Sequence, residues 1–201
     1  DGGHLIRDEF GNPQYNIPEG VSFIDTVNNA GTITGHISLG LGDDVVTNTG
    51  TIDGHIMFGD GNDTYNGANG LVTGVLDGGK GDDSFTLGAG NEIILASDGS
   101  DVIYNFTTGA GSNDVIDLAN IYTITDMASL LAASSQVGDD VVIDLGRGNT
   151  LTLAGTTLAD LHSEDFYFFQ PPSGQVVLGD DQENWLDGTG DDDHIVGYGG
   201  N

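Results

Sequence analysis

Two stretches of the chain, NAGTITGHISLGLGDDVVT (Asn29 to Thr47) and NTGTIDGHIMFGDGNDTYN (Asn48 to Asn66), align without a gap and agree at Asn, Gly, Thr, Ile, Gly, His, Ile, Gly, Gly and Asp. A third copy follows with one inserted residue, setting Gly74, Leu76, Gly79, Gly81 and Asp83 on Gly54, Ile56, Gly59, Gly61 and Asp63. Working outward, Asp25, Asp44, Asp63, Asp83 and Asp101 recur at spacings of 19, 19, 20 and 18. A period of about 20 residues is that of a solenoid, whose units bury their apolar faces only against one another. Equivalent residues then lie one above the next, and the aspartates form a vertical stripe.

Carboxylates stacked at the roughly 4.8 Å spacing of neighbouring strands repel one another strongly. A cation between coils removes that cost. Each aspartate closes a glycine-rich turn, in GLGDD, FGDGND and GGKGDD, a backbone form that glycine tolerates and that aims carbonyl oxygens inward. Carboxylate plus carbonyl oxygen, with no cysteine and no required histidine, is a hard-cation ligand set. At coordination numbers of roughly 6 to 8 it favours Ca2+ over Mg2+ or Zn2+. The competing reading is a solvated acidic edge without metal, and the glycine turns weigh against it.

GGKGDDSFT (Gly78 to Thr86) fits the nonapeptide G-G-x-G-x-D-x-U-x, and the chain here resembles the calcium-binding parallel β-roll of the RTX (repeats-in-toxin, hemolysin-type) proteins. LGAGNEIIL (Leu87 to Leu95) and ASDGSDVIY (Ala96 to Tyr104) continue the register, with Glu92 in place of Asp and Ala96 and Ser97 in place of glycines. The upstream coils keep the glycine pair and the Asp but begin with Leu39 and Phe58. The resemblance implies an all-β fold, a right-handed parallel β-roll or β-helix, holding several Ca2+ ions. It assigns the carboxylates of Asp44, Asp63, Asp83 and Asp101 as metal ligands, with backbone carbonyls from Gly40, Gly42, Gly59, Gly61, Gly78, Gly79, Gly81 and Gly99. Glu92 with Gly88 and Gly90 is read as a weaker site on the opposite edge. The GTITGHI and GTIDGHI halves of the 19-residue coils have no matching acid pair, so calcium is expected along one edge there.

The chain carries 34 Gly and 32 acidic residues against only Arg7, Lys80 and Arg147 as fixed cations, for a net charge of −29. Nucleic acid and anionic membranes are poor partners for such a surface. A hydrophobic fraction of 37% is ample for a core, so the acid reads as ligands plus solubility rather than as a disordered tail. The absence of cysteine excludes a disulfide scaffold and thiolate metal sites. No signal-peptide pattern is visible, and no apolar run approaches the roughly 20 residues of a membrane span. The chain starts at Asp1 and stops at GYGGN, one residue short of the next expected Asp, as a segment excised from a longer repeat would.

Residues 1–28 are expected to form an N-terminal cap and first half coil, and residues 29–104 the roll. Inward positions are Ile33, Ile37, Val46, Ile52, Ile56, Tyr65, Leu76, Phe85, Ile94 and Ile103. Residues 105–170 read as a β-rich capping unit. It holds one amphipathic helix at about 126–136, N-capped by Thr125, with Met127, Leu130, Leu131 and Ser134 on one face. A hairpin follows (Val141 to Leu145, Thr150 to Leu153), then a helical turn at Leu158 to Leu161 and an aromatic strand, Phe166 to Phe169. From DVIYNF through NDVIDL to DFYFF this unit is similar to the segment that closes the roll in serralysin-like proteins, a likeness that assigns Asp101 and Asp114 as calcium ligands at the junction. Asn105 departs from it, standing where an Asp is common, and TTGAGSN lengthens the loop. Residues 171–201 are expected to be a linker, begun at Gln170-Pro171-Pro172-Ser173-Gly174, and the truncated start of a second RTX roll that restarts the nonapeptide register. Leu186 and Ile195 face inward there, and Asn184 and Asp193 take the ligand position.

Other features carry less. His36 and His55 stack in the 19-residue register and could chelate Zn2+ or Ni2+, but two ligands are too few for a dedicated site, which favours a repeat-derived surface pair. A flat threonine face begun by Thr32 and Thr51 is broken by Leu71, and Trp185 reads as core. There is no H-E-x-x-H, no G-x-S-x-G and no cysteine nucleophile. The expectation is therefore a non-catalytic calcium-binding module of a secreted bacterial protein, extracellular or on the cell surface. By resemblance it is exported unfolded through type I secretion machinery, and it folds where calcium is plentiful. Two alternatives stand beside it: the accessory region of a secreted protease, lipase or polysaccharide-modifying enzyme, and an adhesin with a glycan ligand on the capping unit.

Overall fold

The computed structural model describes residues 23–67, 69–88, 90–109 and 114–170, together with the backbone of short strands at Leu5–Arg7, Pro13–Tyr15, Val176–Leu178 and His194–Val196. Within each repeat, apolar residues alternate with Thr, Ser and Asn, the period of a strand with one face buried. The strands pair in parallel, coil on coil, into a β-solenoid of about five turns. Coil one runs through Thr26–Asn29, Thr32–Thr34 and Ile37–Leu41, and coil two through Val45–Asn48, Thr51–Asp53 and Ile56–Asp60. The third comprises Thr64–Asn66, Leu71–Val72 and Val75–Lys80. Val27, Val46 and Tyr65 stand in register, as do Ile33, Ile52 and Val72 on the second side and Ile56 and Leu76 on the third.

At Asp83 the cross-section changes. The next coils have two strands each, Ser84–Thr86 with Ile93–Leu95 and Ser100–Tyr104 with Val115–Leu118, and the short third strand is gone. Three sides become two where the full nonapeptide begins, and the coil shortens from 20 residues to 18. The inward residues read from the repeat are in the core: Val46, Ile52, Ile56, Tyr65, Leu76, Phe85, Ile94 and Ile103 are buried, and Ile33 and Ile37 pack against them.

The segment after the roll prolongs both sheets. Asn149–Leu153 pairs in parallel with Ser100–Tyr104, and Phe166–Phe168 with Val115–Leu118, adding one more rung to each. Beyond the first, Asp140–Gly146 and Ser134–Val137 continue the sheet antiparallel and cover its edge. Helix α1 is shorter than its apolar pattern, spanning Met127–Ala133. Asp126, not Thr125, is its N-cap, because the Asp126 carboxylate accepts the Ser129 N–H while Ser129 Oγ accepts that of Asp126. The helix stops when Ser134 turns extended (φ −105°, ψ 150°) and enters the strand, its hydroxyl donating to the Leu130 carbonyl. Further on, Val177 stands opposite Ile195 in a parallel pair, an offset of 18 residues that matches the two-sided coil. Asn184, Trp185, Leu186 and Asp193 lie outside the described residues, as do residues 1–4, 8–12 and 16–22 of the expected N-terminal cap.

Stacking at strand spacing dictates where glycine is obligatory. Gly40, Gly59 and Gly79 sit one above another at φ 108°, 117° and 92°, and a β-carbon on Gly59 would strike the carbonyl oxygen of Gly40. Gly138 also has a positive φ, 64°, but faces open space. Gly59→Ala is therefore expected to cost more than about 2 kcal/mol and Gly138→Ala only about 1 kcal/mol, the conformational part alone. Urea denaturation of both variants at one fixed calcium concentration checks the difference, and equal losses would contradict the stacking argument.

Candidate metal centre

One edge of the solenoid gathers the expected aspartates and their glycines. Asp44, Asp63, Asp83 and Asp101 follow turns whose Gly42, Gly61, Gly81 and Gly99 have φ of 133°, 155°, 120° and 131°. These turns reverse the chain tightly and fold each carboxylate under its own loop, so all four side chains are buried. Their Oδ1 atoms form a ladder between coils. The backbone N–H of Asp25 donates to Asp44 (2.6 Å), that of Asp44 to Asp63 (2.7 Å), that of Asp63 to Asp83 (2.8 Å) and that of Asp83 to Asp101 (3.0 Å).

The second oxygens have a different fate. Oδ2 of Asp44, Asp63 and Asp83 is buried without a hydrogen-bond partner. At Asp83 this oxygen points into the turn, where a β-carbon on Gly78 would overlap it. Asp101 ends the column: its Oδ2 accepts from the Ser97 hydroxyl at 3.0 Å, and the next rung places Leu151 beside it. Burial pushes the Asp63 carboxyl up to about 6, Asp83 to about 7 and Asp101 to about 6, against the opposing pull of the hydrogen bond from the preceding coil. Neighbouring aspartate charges push the same way.

A buried carboxylate with lone pairs unused is costly, and either a proton or a cation relieves it. Among the described residues no three carboxylates or imidazoles converge on a point. Each rung therefore offers one carboxylate, and a cation would take its remaining ligands from backbone oxygen. The turns bring carbonyl oxygen to the same edge: a β-carbon on Gly59, Gly61, Gly79, Gly81 or Gly99 would strike the carbonyl of Gly40, Gly42, Gly59, Gly61 or Gly81 one coil back, Gly78 lies in the same loops, and the Gly79 and Gly99 carbonyls accept the N–H groups of Asp98 and Thr150. This oxygen-only donor set fits a hard divalent ion.

The opposite edge carries a second acidic pair. Glu92 is fully buried with both carboxylate oxygens unpartnered, and its N–H donates to Asp114 Oδ1 at 3.2 Å. Asp114 Oδ2 is saturated by the Thr107 N–H (3.0 Å) and hydroxyl (2.5 Å). Burial, and then the adjacent Asp114 carboxylate, push the Glu92 carboxyl upward. Gly90 leaves the space for it, since a β-carbon there would lie 2.8 Å from Glu92 Oε1, and Gly88 lies over the Gly67 and Gly70 carbonyls. In the three-sided coils this edge holds Gly35, Gly54 and Gly74 packed on one another. Buried acid appears here only after the third strand is gone; Asp53, beside Gly54, is exposed. Asp101 and Asp114, both assigned to the junction by resemblance, thus stand in separate clusters, one with Asp83 and the other with Glu92.

Two further ladders escaped the sequence reading, and a third, the histidine pair, stands where the register puts it. Asp43, Asn62 and Asp82 each accept the N–H of the equivalent residue one coil later, Asn62, Asp82 and Ser100, at 2.8 Å. Asn29 donates to Asn48 Oδ1 at 2.8 Å on the corner between the first two sides. His36 and His55 stack with centroids 4.7 Å apart, and their Nδ1 atoms accept the N–H of His55 (3.0 Å) and Val75 (2.9 Å). Nδ1 as acceptor leaves the proton of a neutral imidazole on Nε2, so in this arrangement the pair spaces coils rather than chelating an ion. Recurrence of polar residues at fixed register was the available signal. The sequence matches no family model and none of the curated proteins compared with it.

The raised carboxyl values fix a pH dependence for the metal-free chain. A folded value above the unfolded 3.8 means that the folded form holds more protons between about pH 4 and 7. Their stabilising contribution is complete below the unfolded value and is lost as pH rises through about 6 to 7. In excess chelator, the residual structure read by circular dichroism should be greater at pH 5, above the pI of about 4.1, than at pH 7.5. Residual structure that rises with pH would show that the column is not buried as described.

Proposed function

We propose that the chain is a calcium-binding module of the RTX β-roll kind, in which metal binding and folding are one event. The observation that carries this reading is the row of buried, unpartnered Oδ2 atoms at Asp44, Asp63 and Asp83, in coils whose glycine turns stack closely one on another. Asp44, Asp63 and Asp83 would hold ions along the column, with Asp101 closing it. Glu92, assisted by Asp114 and by the Gly88 and Gly90 turn, would hold a weaker one on the other edge. The ion supplies positive charge where the fold has buried negative charge. Asp63, between Asp44 and Asp83, serves the gaps on both sides, so loading is cooperative along the stack.

Such coupling has a physiological logic. In low calcium the stacked carboxylates oppose folding and the chain stays exportable; where calcium is abundant, binding free energy becomes folding free energy. The proposal therefore places the protein outside the cell, after passage through a type I channel, with no catalytic role for this segment.

Asp63→Asn is the decisive variant. The amide oxygen keeps the bond to the Asp44 N–H, while the charge of the unpartnered oxygen is removed. In chelator at pH 7.5 the variant should be at least as folded as the parent chain. In a calcium titration followed by circular dichroism its midpoint should rise severalfold, with lower cooperativity, and Mg2+ should substitute poorly in both because it resists dehydration. Unchanged calcium midpoints, or native circular dichroism of the parent chain in excess chelator, would sink the proposal.

A further inference from the structure

The outer faces of the two long sheets differ in kind. On the sheet that follows the aspartate turns, one outward row reads Val45, Thr64, Ser84 and Val102 and the other Thr47, Asn66, Thr86 and Tyr104, polar at five of eight positions. That is what a solvated sheet face looks like. On the other long sheet one outward row reads Met57, Asp77, Leu95, Asp117 and Tyr167, each in register with the next. The adjacent row reads Val75, Ile93 and Val115. Met57 is 41% and Tyr167 50% exposed. Between Met57, Val75 and Leu95 lies a depression of about 240 Å3 bordered by Asp77 and Asp117, and a second of about 630 Å3 opens beside Ile93, Val115 and Tyr167. Contiguous apolar surface of this kind marks a contact site rather than a solvated edge.

The charges indicate what fits it. Asp77 and Asp117 flank Leu95 in the same row, two strand spacings or about 10 Å apart. Among the described residues neither is ion-paired; Lys80, the lysine nearest in sequence, is bonded to Asp60 at 3.1 Å. With only three fixed cations in a chain of net charge −29, a second copy would be repelled and cannot supply the counter-charges. We propose that this face docks an amphipathic basic helix of a partner protein, laid across the strands, with Lys or Arg at positions i and i+7 on Asp77 and Asp117 and an apolar residue between them on Leu95. Seven residues of helix rise about 10.5 Å, which matches the carboxylate separation. The proposal is independent of the metal sites, because both carboxylates face away from the core.

A labelled synthetic peptide with lysines seven apart and leucines between them on one helix face, titrated into the full 201-residue chain in saturating calcium, tests this by fluorescence anisotropy. Saturable binding is expected, weakened about fivefold or more by Asp77→Asn and by Asp117→Asn, as for loss of one charged contact at an interface. Leu95→Ser should weaken it too, and Asp139→Asn, on the hairpin turn, should not. Asp77 adjoins a glycine turn, so Asp117→Asn, remote from that turn, carries the result if Asp77→Asn changes the calcium midpoint. The proposal is overturned by absence of saturable binding, by an equal loss from Asp139→Asn, or by indifference to Leu95→Ser. A chitosan oligomer of equal charge that binds as tightly and shows the same losses would overturn it as well, making the face a polycation site.

Discussion

Every turn of this solenoid must satisfy backbone N–H groups that point along the stack; where the acceptor is not a carbonyl of the neighbouring coil, as it is for Gly42, Gly61 and Gly81, it is a side chain one coil away. The aspartate column does so in one direction, each Oδ1 reaching back to the preceding coil, while Asp43, Asn62 and Asp82 take the N–H of the coil that follows. The histidine ladder does the same elsewhere on the coil, while the asparagines link coils from side chain to side chain, Asn29 donating to Asn48 Oδ1. Gly59, Gly61, Gly79, Gly81 and Gly99 are required in these turns because even a β-carbon would strike the carbonyl one coil back. Asparagine would serve the inner ladder as well as aspartate, and it does serve the outer one at Asn62. The inner column is aspartate throughout, although only one oxygen is needed for the ladder. That surplus of buried charge, unnecessary for stacking, is what an ion would answer.

The stripe and the core were legible because a fixed period transfers an identity from one coil to the next. Val46, Ile56, Tyr65, Leu76 and Phe85 point inward for the same reason that Asp44, Asp63 and Asp83 align. The change from three sides to two was not legible. Coils of 19 and 18 residues differ by a single position, and Thr32–Thr34 and Thr51–Asp53 are too short to announce a strand of their own. That third strand explains why the early coils lack buried acid on the opposite edge. Gly35, Gly54 and Gly74 close-pack there, and the edge opens for Glu92 only when the strand is dropped.

The end of the roll was also hidden. Leu151 takes the rung after Asp101, yet the two are separated by a helix and a hairpin, so no period connects them. The pattern marks residues 105–170 as a capping unit that closes the roll, and within it Asn149–Leu153 and Phe166–Phe168 are further rungs of the same two sheets. Their local patterns were read correctly as strands. What a single sequence does not contain is the partner of each strand, because pairing across some fifty residues leaves no local mark.

This closing rung gives the stack a direction. Leu151, Leu153, Val141 and Ile143 are buried together, held by antiparallel pairing and apolar burial that involve no carboxylate. Asp101, adjacent to them, is the one column member whose second oxygen already has a partner, Ser97. From there toward the N-terminus each rung adds a carboxylate with an unpartnered oxygen, at Asp83, Asp63 and Asp44 in turn. In a quasi-one-dimensional stack, stability is the sum of unit and neighbour terms, and order propagates from wherever the first favourable interface forms. On the proposed calcium reading, the platform that needs no metal is at the C-terminal end of the roll, so ordering would start at the Asp101 rung. Each further coil would then bring one more buried charge and be completed as that charge is neutralised. The switch of such a chain would lie in the N-terminal coils and its anchor in the segment that follows the roll.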